Sequence, residues 1–326
     1  MLQSKPAGPR VPYVAVVVTC ARPRGAYVPR GKASGSKGSG MIERRTAAYE
    51  YLQFARLAGV PGLTHAIFTR RGGFSAAPYA GLNLSYTTGD DPATVRRNRA
   101  IVVAALGMPL VGARPVHGAS VVVIERALAG EDAAEGDGAL WQERLQRRLR
   151  LIEADAMLTD VPDMALCWAF GDCAPILLFD PEHRALALVH AGWRGTAQAI
   201  VPRAIAAMRQ RYGTRTETLL AGLGPAIGAC CYEVSDAVRA AFARNPLART
   251  CAVFAERPSA DGGSGHYLDI TASNRRQLLM AGVLPAHLQE SGYCTGCRPD
   301  LFYSNRREPK PSGRFAAAIG LRDVRE

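Results

Sequence analysis

Residues 165–191 restrict the fold more tightly than any other part of this 326-residue chain. Three short apolar runs follow one another there. The first, 165–170, breaks at Gly171-Asp172-Cys173, and the second, 175–179, stops at Asp180-Pro181-Glu182-His183. The third, 185–190, closes on His190 and leads through Ala191-Gly192-Trp193-Arg194-Gly195-Thr196 into a helical pattern. Brief apolar runs bounded by Gly, Pro and Asp read as strands, because those residues supply the turn geometry that a strand cannot hold. Ile200, Ile205 and Met208 then fall on one stripe, which predicts a helix of about fifteen residues.

The flanking sequence carries the same mixture. Residues 65–69, 121–124, 219–223 and 315–321 read as further strands. Asp91-Pro92 opens a helix to about residue 106, with Pro at a favoured first-turn position. Ser235 is placed to cap a helix reaching about residue 244, and a third helix over 271–281 ends at Gly282. The charged segment 129–149 reads as a surface loop and helix. Strands and helices alternate without strict βαβ order, and no internal linker or repeat stands out. The expectation is one α/β (α+β) domain over residues 42–326.

Charge sets the N-terminal segment apart. The net charge is +12, but residues 1–40 hold no acidic residue and carry Lys5, Arg10, Arg22, Arg24, Arg30, Lys32 and Lys37. Those seven leave +5 for the other 286 residues. A Pro/Gly/Ser-rich basic arm over 1–41 is expected to stay disordered, since it cannot bury enough apolar area to offset its ordering entropy. It reads either as an organelle transit peptide or as sequence ahead of a true start at Met41. A basic arm can also hold nucleic acid loosely, but the body shows no basic stripe. No run of 18 or more uncharged apolar residues spans a membrane, and the expected location is the cytoplasm, or an organelle if the arm is a transit peptide. Eight cysteines are too few for a disulfide scaffold and suit a reducing compartment.

The chemistry is first narrowed by what is missing. The chain has no Gly-rich phosphate loop after a strand and no Gly-x-Ser-x-Gly elbow. Three polar residues stand at strand ends instead: His117 before the 121–124 run, Cys173 in the break after 170, and His190 at the close of 185–190. Two imidazoles and a thiolate make a catalytic zinc set with the fourth position open for water or substrate. Copper suits them less well, because a blue-copper site also wants a weak axial ligand. On spacing alone the signal is weak, and the same residues also read as two satisfied histidines and one buried cysteine. Arg70, beside Gly72-Gly73, and Arg194, before a helix, are suited to clamp an anion through a planar fork. Asp172 is placed to orient a ligand or move a proton, or simply to make the turn. Cys294-Thr295-Gly296-Cys297, as a lone Cys-x-x-Cys, reads as buried thiols rather than as a second zinc site.

Several segments, taken in order, resemble one family. They are Phe68-Thr69-Arg70-Arg71-Gly72-Gly73-Phe74-Ser75, Tyr79-Ala80-Gly81-Leu82-Asn83-Leu84, Gly89-Asp90-Asp91-Pro92, Val116-His117-Gly118 and Asp155-Ala156-Met157-Leu158. Then come Gly171-Asp172-Cys173-Ala174-Pro175, His190-Ala191-Gly192-Trp193-Arg194-Gly195, Gly224-Pro225-Ala226-Ile227-Gly228 with Cys231-Tyr232-Glu233-Val234, and Cys294-Thr295 through Ser304-Asn305-Arg306-Arg307 to Gly313-Arg314. Over residues 60–321 the chain is similar to the YfiH-type, or multicopper polyphenol oxidase (laccase) domain, family, which includes purine nucleoside phosphorylases and peptidoglycan editing factors. The resemblance implies a layered sandwich of mixed β-sheets flanked by helices. It implies zinc on His117, Cys173 and His190, and phosphorolysis of adenosine, inosine and methylthioadenosine with adenosine deamination beside it. Purine nucleosides and phosphate would be the small-molecule partners. Two departures from the pattern, Pro115 for a Gln and Asn305 for a Tyr, touch no ligand but bear on substrate preference.

Laccase chemistry itself does not fit, because six histidines without a His-x-His pair cannot build a four-copper site. Two other classes stay open on sequence. One is an amide hydrolase acting on a peptidoglycan precursor, with Cys173 as nucleophile and His190 as base. The other is nucleic-acid binding through the basic arm.

Overall fold

The computed structural model describes residues 40–125, 147–258 and 264–323. Residues 1–39 of the basic arm and most of the 129–149 segment lie outside them, whereas Met41, expected to end the arm, begins the first strand. The chain runs β1 (Met41–Arg45), β2 (Tyr49–Phe54), α1 (Ala55–Ala58), β3 (Leu63–Gly72), α2 (Pro92–Leu106), β4 (Leu110–Val111), β5 (Val121–Val123), β6 (Ala156–Thr159), β7 (Met164–Phe170), β8 (Ala174–Asp180) and β9 (Ala185–Ala191). It continues α3 (Trp193–Ala197), α4 (Ile200–Tyr212), β10 (Leu220–Leu223), β11 (Glu233–Val234), α5 (Asp236–Ala243), α6 (Pro246–Cys251), β12 (Phe254–Pro258), β13 (Ser264–Leu268), α7 (Ile270–Met280), β14 (Leu288–Glu290) and β15 (Phe315–Leu321).

One six-stranded sheet has the order β1-β2-β3-β15-β7-β4, and the other the order β14-β10-β8-β9-β6-β5. Both are mixed: β4–β7, β5–β6 and β10–β14 pair parallel and the remaining neighbours antiparallel. Strand parity explains the stacking, since alternate side chains leave opposite faces of a sheet. In β7, Leu166, Trp168 and Phe170 join Leu177 and Phe179 of β8 and Leu186 and Leu188 of β9 in one core between the sheets. The opposite residues of β8 and β9, such as Ile176, Leu178, Ala187 and Val189, pack on Ile200, Ala204, Ile205 and Met208 of α4 and Leu278 of α7. Ala165, Cys167, Ala316 and Ala318, on the outer face of the first sheet, are covered by Val102 and Leu106 of α2. The result is four layers, helix–sheet–sheet–helix. Strands covered on both faces need no polar alternation, which is why β8 and β9 are apolar and wholly buried. Each fully buried Leu or Phe there contributes about 1.5–3 kcal/mol.

Most boundaries fall within two residues of the sequence expectation. Asp91 caps α2 through the amides of Ala93 and Thr94, and Gly107 ends it in the left-handed region. Two local readings need correction. The single helix expected after His190 is two, α3 and α4, because Ala199 sits at φ 60°, ψ 48° and interrupts the ladder. Gly195 and Thr196 of α3 are held by tertiary contacts: a Cβ at Gly195 would stand 2.7 Å from the Gly118 carbonyl, and Thr196 bonds Asn274 of α7. Ser235 precedes α5 but makes no side-chain cap. The cysteines also divide: Cys167 and Cys251 are buried, whereas Cys230 and Cys297 are exposed. No helix among the described residues is long and apolar enough to cross a membrane.

Candidate metal centre

The site forms where the core between the sheets meets solvent. His190 continues the inward-facing series Leu186, Leu188 to the last turn of β9, so its ring enters the inter-sheet layer beside Phe170 (5.5 Å between ring centres) and Trp168 (6.1 Å). It is 4 % exposed. His117 lies in the loop before β5 at φ 58°, an uncommon conformation for a residue with a side chain. Its exposed ring meets that of His190 edge-on at 4.9 Å.

Asp155, wholly buried, joins the two. Its carboxylate accepts the amides of Gly118 (2.7 Å), His117 (2.8 Å) and Val116 (3.2 Å), and Nδ1 of His190 lies 3.1 Å away. Burial opposes its ionisation, but the bonds from His190 and from the Gly118 and His117 amides outweigh that and hold the carboxyl below its usual range. With an ionised acceptor at Nδ1, the His190 ring donates there and keeps Nε2 for a ligand.

Cys173 arrives from the β7–β8 turn. That turn depends on Asp172, whose φ of 93° is strained for any residue but glycine. Its carboxylate accepts Thr295 Oγ1 (2.6 Å), Ser304 Oγ (2.7 Å) and the Arg306 amide (2.7 Å). Its carbonyl accepts the Ile227 amide at 2.9 Å. Three separate loops therefore offset the strain and fix where Cys173 projects. Gly192 makes room opposite: a Cβ there would stand 2.8 Å from Cys173 Sγ and 3.7 Å from Cδ2 of His117.

One ligand atom each from His117, Cys173 and His190 lies within 4.8 Å of the others. Burial pushes the Cys173 thiol up, but His190 and then His117 overcome this and bring it down to about 6. Burial likewise lowers His190, and the Cys173 and Asp155 anions lift it to about 9. A site that favours thiolate over thiol is chemically suited to a soft or borderline metal ion.

The other expected residues fall differently. Arg194 is exposed on the first turn of α3, with its guanidinium 4.4 Å from the Trp193 ring centre. Arg70 pairs with Glu308, donates to the Pro299 carbonyl (3.0 Å) and lies over the Tyr303 ring. It connects to the centre only indirectly, because Glu308 also accepts the Ser304 amide and Ser304 bonds Asp172. Asn305 accepts from Arg314, whose Cδ and guanidinium pack where a Gly171 side chain would be. Arg306 lies 4.9 Å over the ring of Tyr232, whose hydroxyl is pushed up to about 12 by burial and the Cys173 charge. Asp155 carries no expected role in the sequence. The signal available was a carboxylate directly ahead of the apolar run 156–158, where solvent exposure is not expected.

Among the described residues, metal-binding side chains converge in two places, this triad and a group of four cysteines. His65, His183, His266 and His287 belong to neither.

A family model described as "Multi-copper polyphenol oxidoreductase laccase" matches residues 64–322. The "Purine nucleoside phosphorylase" of Bacteroides thetaiotaomicron is 31% identical over 271 residues, covering 82% of this chain and 95% of that protein. "Adenosine deaminase RL5", from an unknown prokaryotic organism, is 33% identical over 274 residues, 83% and 97% of the two chains. Among solved structures, the hypothetical protein YfiH of Bacillus licheniformis superposes with a TM-score of 0.72 at 28% identity, covering 86% of this chain and 99% of that one. YlmD from Geobacillus stearothermophilus gives 0.71 at 30% identity, with 86% and 99% covered.

Proposed function

The chain belongs to the multi-copper polyphenol oxidoreductase laccase family, whose YfiH and YlmD members share its fold, and from that premise we propose that it is a zinc-dependent purine nucleoside phosphorylase. The observation that carries the proposal is the convergence of His117, Cys173 and His190 within 4.8 Å at the mouth of a buried layer, with His190 oriented by Asp155. Two neutral-capable imidazoles and a thiolate fit zinc by donor type. A multi-copper centre needs many more imidazoles than the two that converge here, so the family's descriptive name does not describe this site's chemistry. The relatives named purine nucleoside phosphorylase and adenosine deaminase support the substrate class.

In phosphorolysis a phosphate oxygen bonds to C1′ of the ribose as the C1′–N bond breaks, and the purine leaves with the electron pair and gains a proton. Zinc held by His117, Cys173 and His190 would supply Lewis acidity toward an oxygen ligand and balance anionic charge. The protein's own groups do the rest. Arg194 presents a planar fork to phosphate beside the His190 turn, and no hydrogen bond or ion pair with the described residues occupies that fork. Asp155 fixes the His190 tautomer, Asp172 fixes the Cys173 turn, and Arg70 steadies that turn through Glu308 and Ser304. Adenosine, inosine and methylthioadenosine are the proposed substrates, with adenosine deamination accompanying phosphorolysis.

The low Cys173 thiol beside His190 also suits the alternative of an amide hydrolase acting on a peptidoglycan precursor. One experiment separates them: phosphate-dependent release of adenine from adenosine by wild type, Cys173→Ala and His190→Ala, with bound zinc measured in each. Both substitutions are expected to abolish turnover and metal together. Full phosphorolysis by Cys173→Ala would defeat the proposal. A metal-free wild type whose Cys173 is alkylated at neutral pH would favour the hydrolase.

A further inference from the structure

Four more cysteines meet on the side of the molecule that braces the Cys173 turn. Cys230 and Cys231 come from the turn before β11, and Cys294 and Cys297 from the loop after β14; their sulfurs all lie within 4.8 Å of one another. Cys297 Sγ is 3.3 Å from that of Cys230 and 3.5 Å from that of Cys231. A disulfide would bring two sulfurs to about 2.05 Å. Tetrahedral zinc, with Zn–S bonds of about 2.3 Å, spaces its sulfurs about 3.8 Å apart. Both separations are far longer than a disulfide and nearer the second spacing, and all four cysteines are free.

The backbone is shaped for thiolates. The Gly228 amide donates to Cys294 Sγ at 3.2 Å, a bond that stabilises a negatively charged sulfur. The Cys231 amide bonds the Gly228 carbonyl and the Cys297 amide that of Cys294, so both ligand pairs sit in tight turns that let near neighbours converge. Glycine lines the group on two sides. A Cβ at Gly296 would meet Cys231 Sγ at 3.1 Å and the Arg307 chain at 2.8 Å, and one at Gly228 would come within 3.4 Å of Cys230 Sγ. Two of the four cysteines are exposed, so simple burial of apolar thiols does not explain the convergence.

We propose that Cys230, Cys231, Cys294 and Cys297 form a structural four-thiolate zinc site, separate from the His117–Cys173–His190 centre. Four sulfur ligands close the coordination sphere and leave no position for substrate, so the ion acts as a staple. It ties the 226–232 loop to the 294–298 loop, which are otherwise joined by the Ala226–Cys294 bridge. Both loops hold Asp172: Ile227 through its amide and Thr295 through its hydroxyl. The staple therefore sets the turn that presents Cys173.

The test is metal and thiol counting on the full chain purified without chelator. One zinc per group predicts two per wild-type chain, and one each in Cys294→Ser/Cys297→Ser and in His117→Ala/His190→Ala. Cobalt(II) exchanged into His117→Ala/His190→Ala should give the intense visible and sulfur-to-metal bands of a tetrahedral tetrathiolate. Thermal unfolding of that variant should shift down when chelator strips its remaining ion. Wild type that binds a single zinc, lost with the histidines and retained in the cysteine variant, overturns the proposal. So does a count of reactive thiols, taken unfolded without reductant, two short of the chain's eight, since that reveals a disulfide. If the double cysteine variant does not fold, the exposed Cys230→Ser alone and the cobalt spectrum still decide.

Discussion

The Asp155 carboxylate meets Nδ1 of His190 at 3.1 Å while accepting the His117 amide at 2.8 Å, so one buried acid positions two of the three candidate ligands. Replacing it with Asn preserves the shape but loses the charge, and one oxygen acceptor becomes an amide donor facing the Gly118 N–H. Asp155→Asn is expected to weaken zinc binding at the triad by about 10–100-fold, as loss of an outer-sphere partner does elsewhere. Competition with a chromophoric chelator measures it, in Cys294→Ser/Cys297→Ser if the four-cysteine group also holds metal. Unchanged affinity would show that His190 is oriented by something else.

Gly192 tests the space rather than the charge. A methyl 2.8 Å from Cys173 Sγ must displace the sulfur from the point where it faces His117 and His190. Gly192→Ala is expected to keep its circular dichroism spectrum and lose metal at this centre. Retained metal and activity would mean that the turn accommodates the methyl without moving the ligand.

The two arginines should separate kinetically. Arg194→Ala is predicted to raise KM for phosphate about 10-fold, roughly one charge-assisted hydrogen bond, without changing metal content. Arg70→Lys loses the planar fork that joins Glu308 to the Pro299 carbonyl, and Glu308→Gln removes the anion of the same pair, so each should lower kcat/KM and the double variant should be little worse than either. An Arg70→Lys enzyme whose only defect is phosphate KM would instead place that guanidinium on the substrate.

His65 gives a stability prediction. It is buried against Phe54, and its Nε2 accepts the Phe54 amide at 2.8 Å, which only the neutral ring can do. Burial lowers its pKa from 6.5 to about 4. Above pH 6.5 neither the folded nor the unfolded chain carries this proton. Between 6.5 and about 4 the unfolded chain binds it and the native one does not, so stability falls as the pH falls, by about 3 kcal/mol in all at 1.36 kcal/mol per unit. Denaturant midpoints at pH 7 and 4.5 should drop further for wild type than for His65→Gln, in which the other acid-sensitive groups are shared. Equal drops would rule His65 out as the cause.

Local pattern missed the short or peripheral strands β1, β2, β4, β6 and β11 to β14, but revealed strands β3, β5, β7 to β10 and β15, the α2 caps and the placing of His117, Cys173 and His190 at strand ends. Each of these depends on chain-neighbour effects: turn residues, side-chain alternation and capping. Family resemblance then selected those three residues as ligands where spacing alone left them open. The role of Asp155 was not legible, because a carboxylate before a strand looks like a turn residue until burial and three amides surround it. Arg70 looked like an anion clamp, and its pairing with Glu308, 238 positions away in sequence, was not legible. The meeting of Cys230 and Cys231 with Cys294 and Cys297 was equally hidden, since a lone Cys-x-x-Cys says nothing about a second pair brought to it by folding. The sequence by itself thus determined the central strands, the longer helices and the donor types. Only the tertiary structure decided which donors share a centre, because convergence depends on loop closures between distant segments, and those are fixed by packing of the two sheets rather than by any local preference.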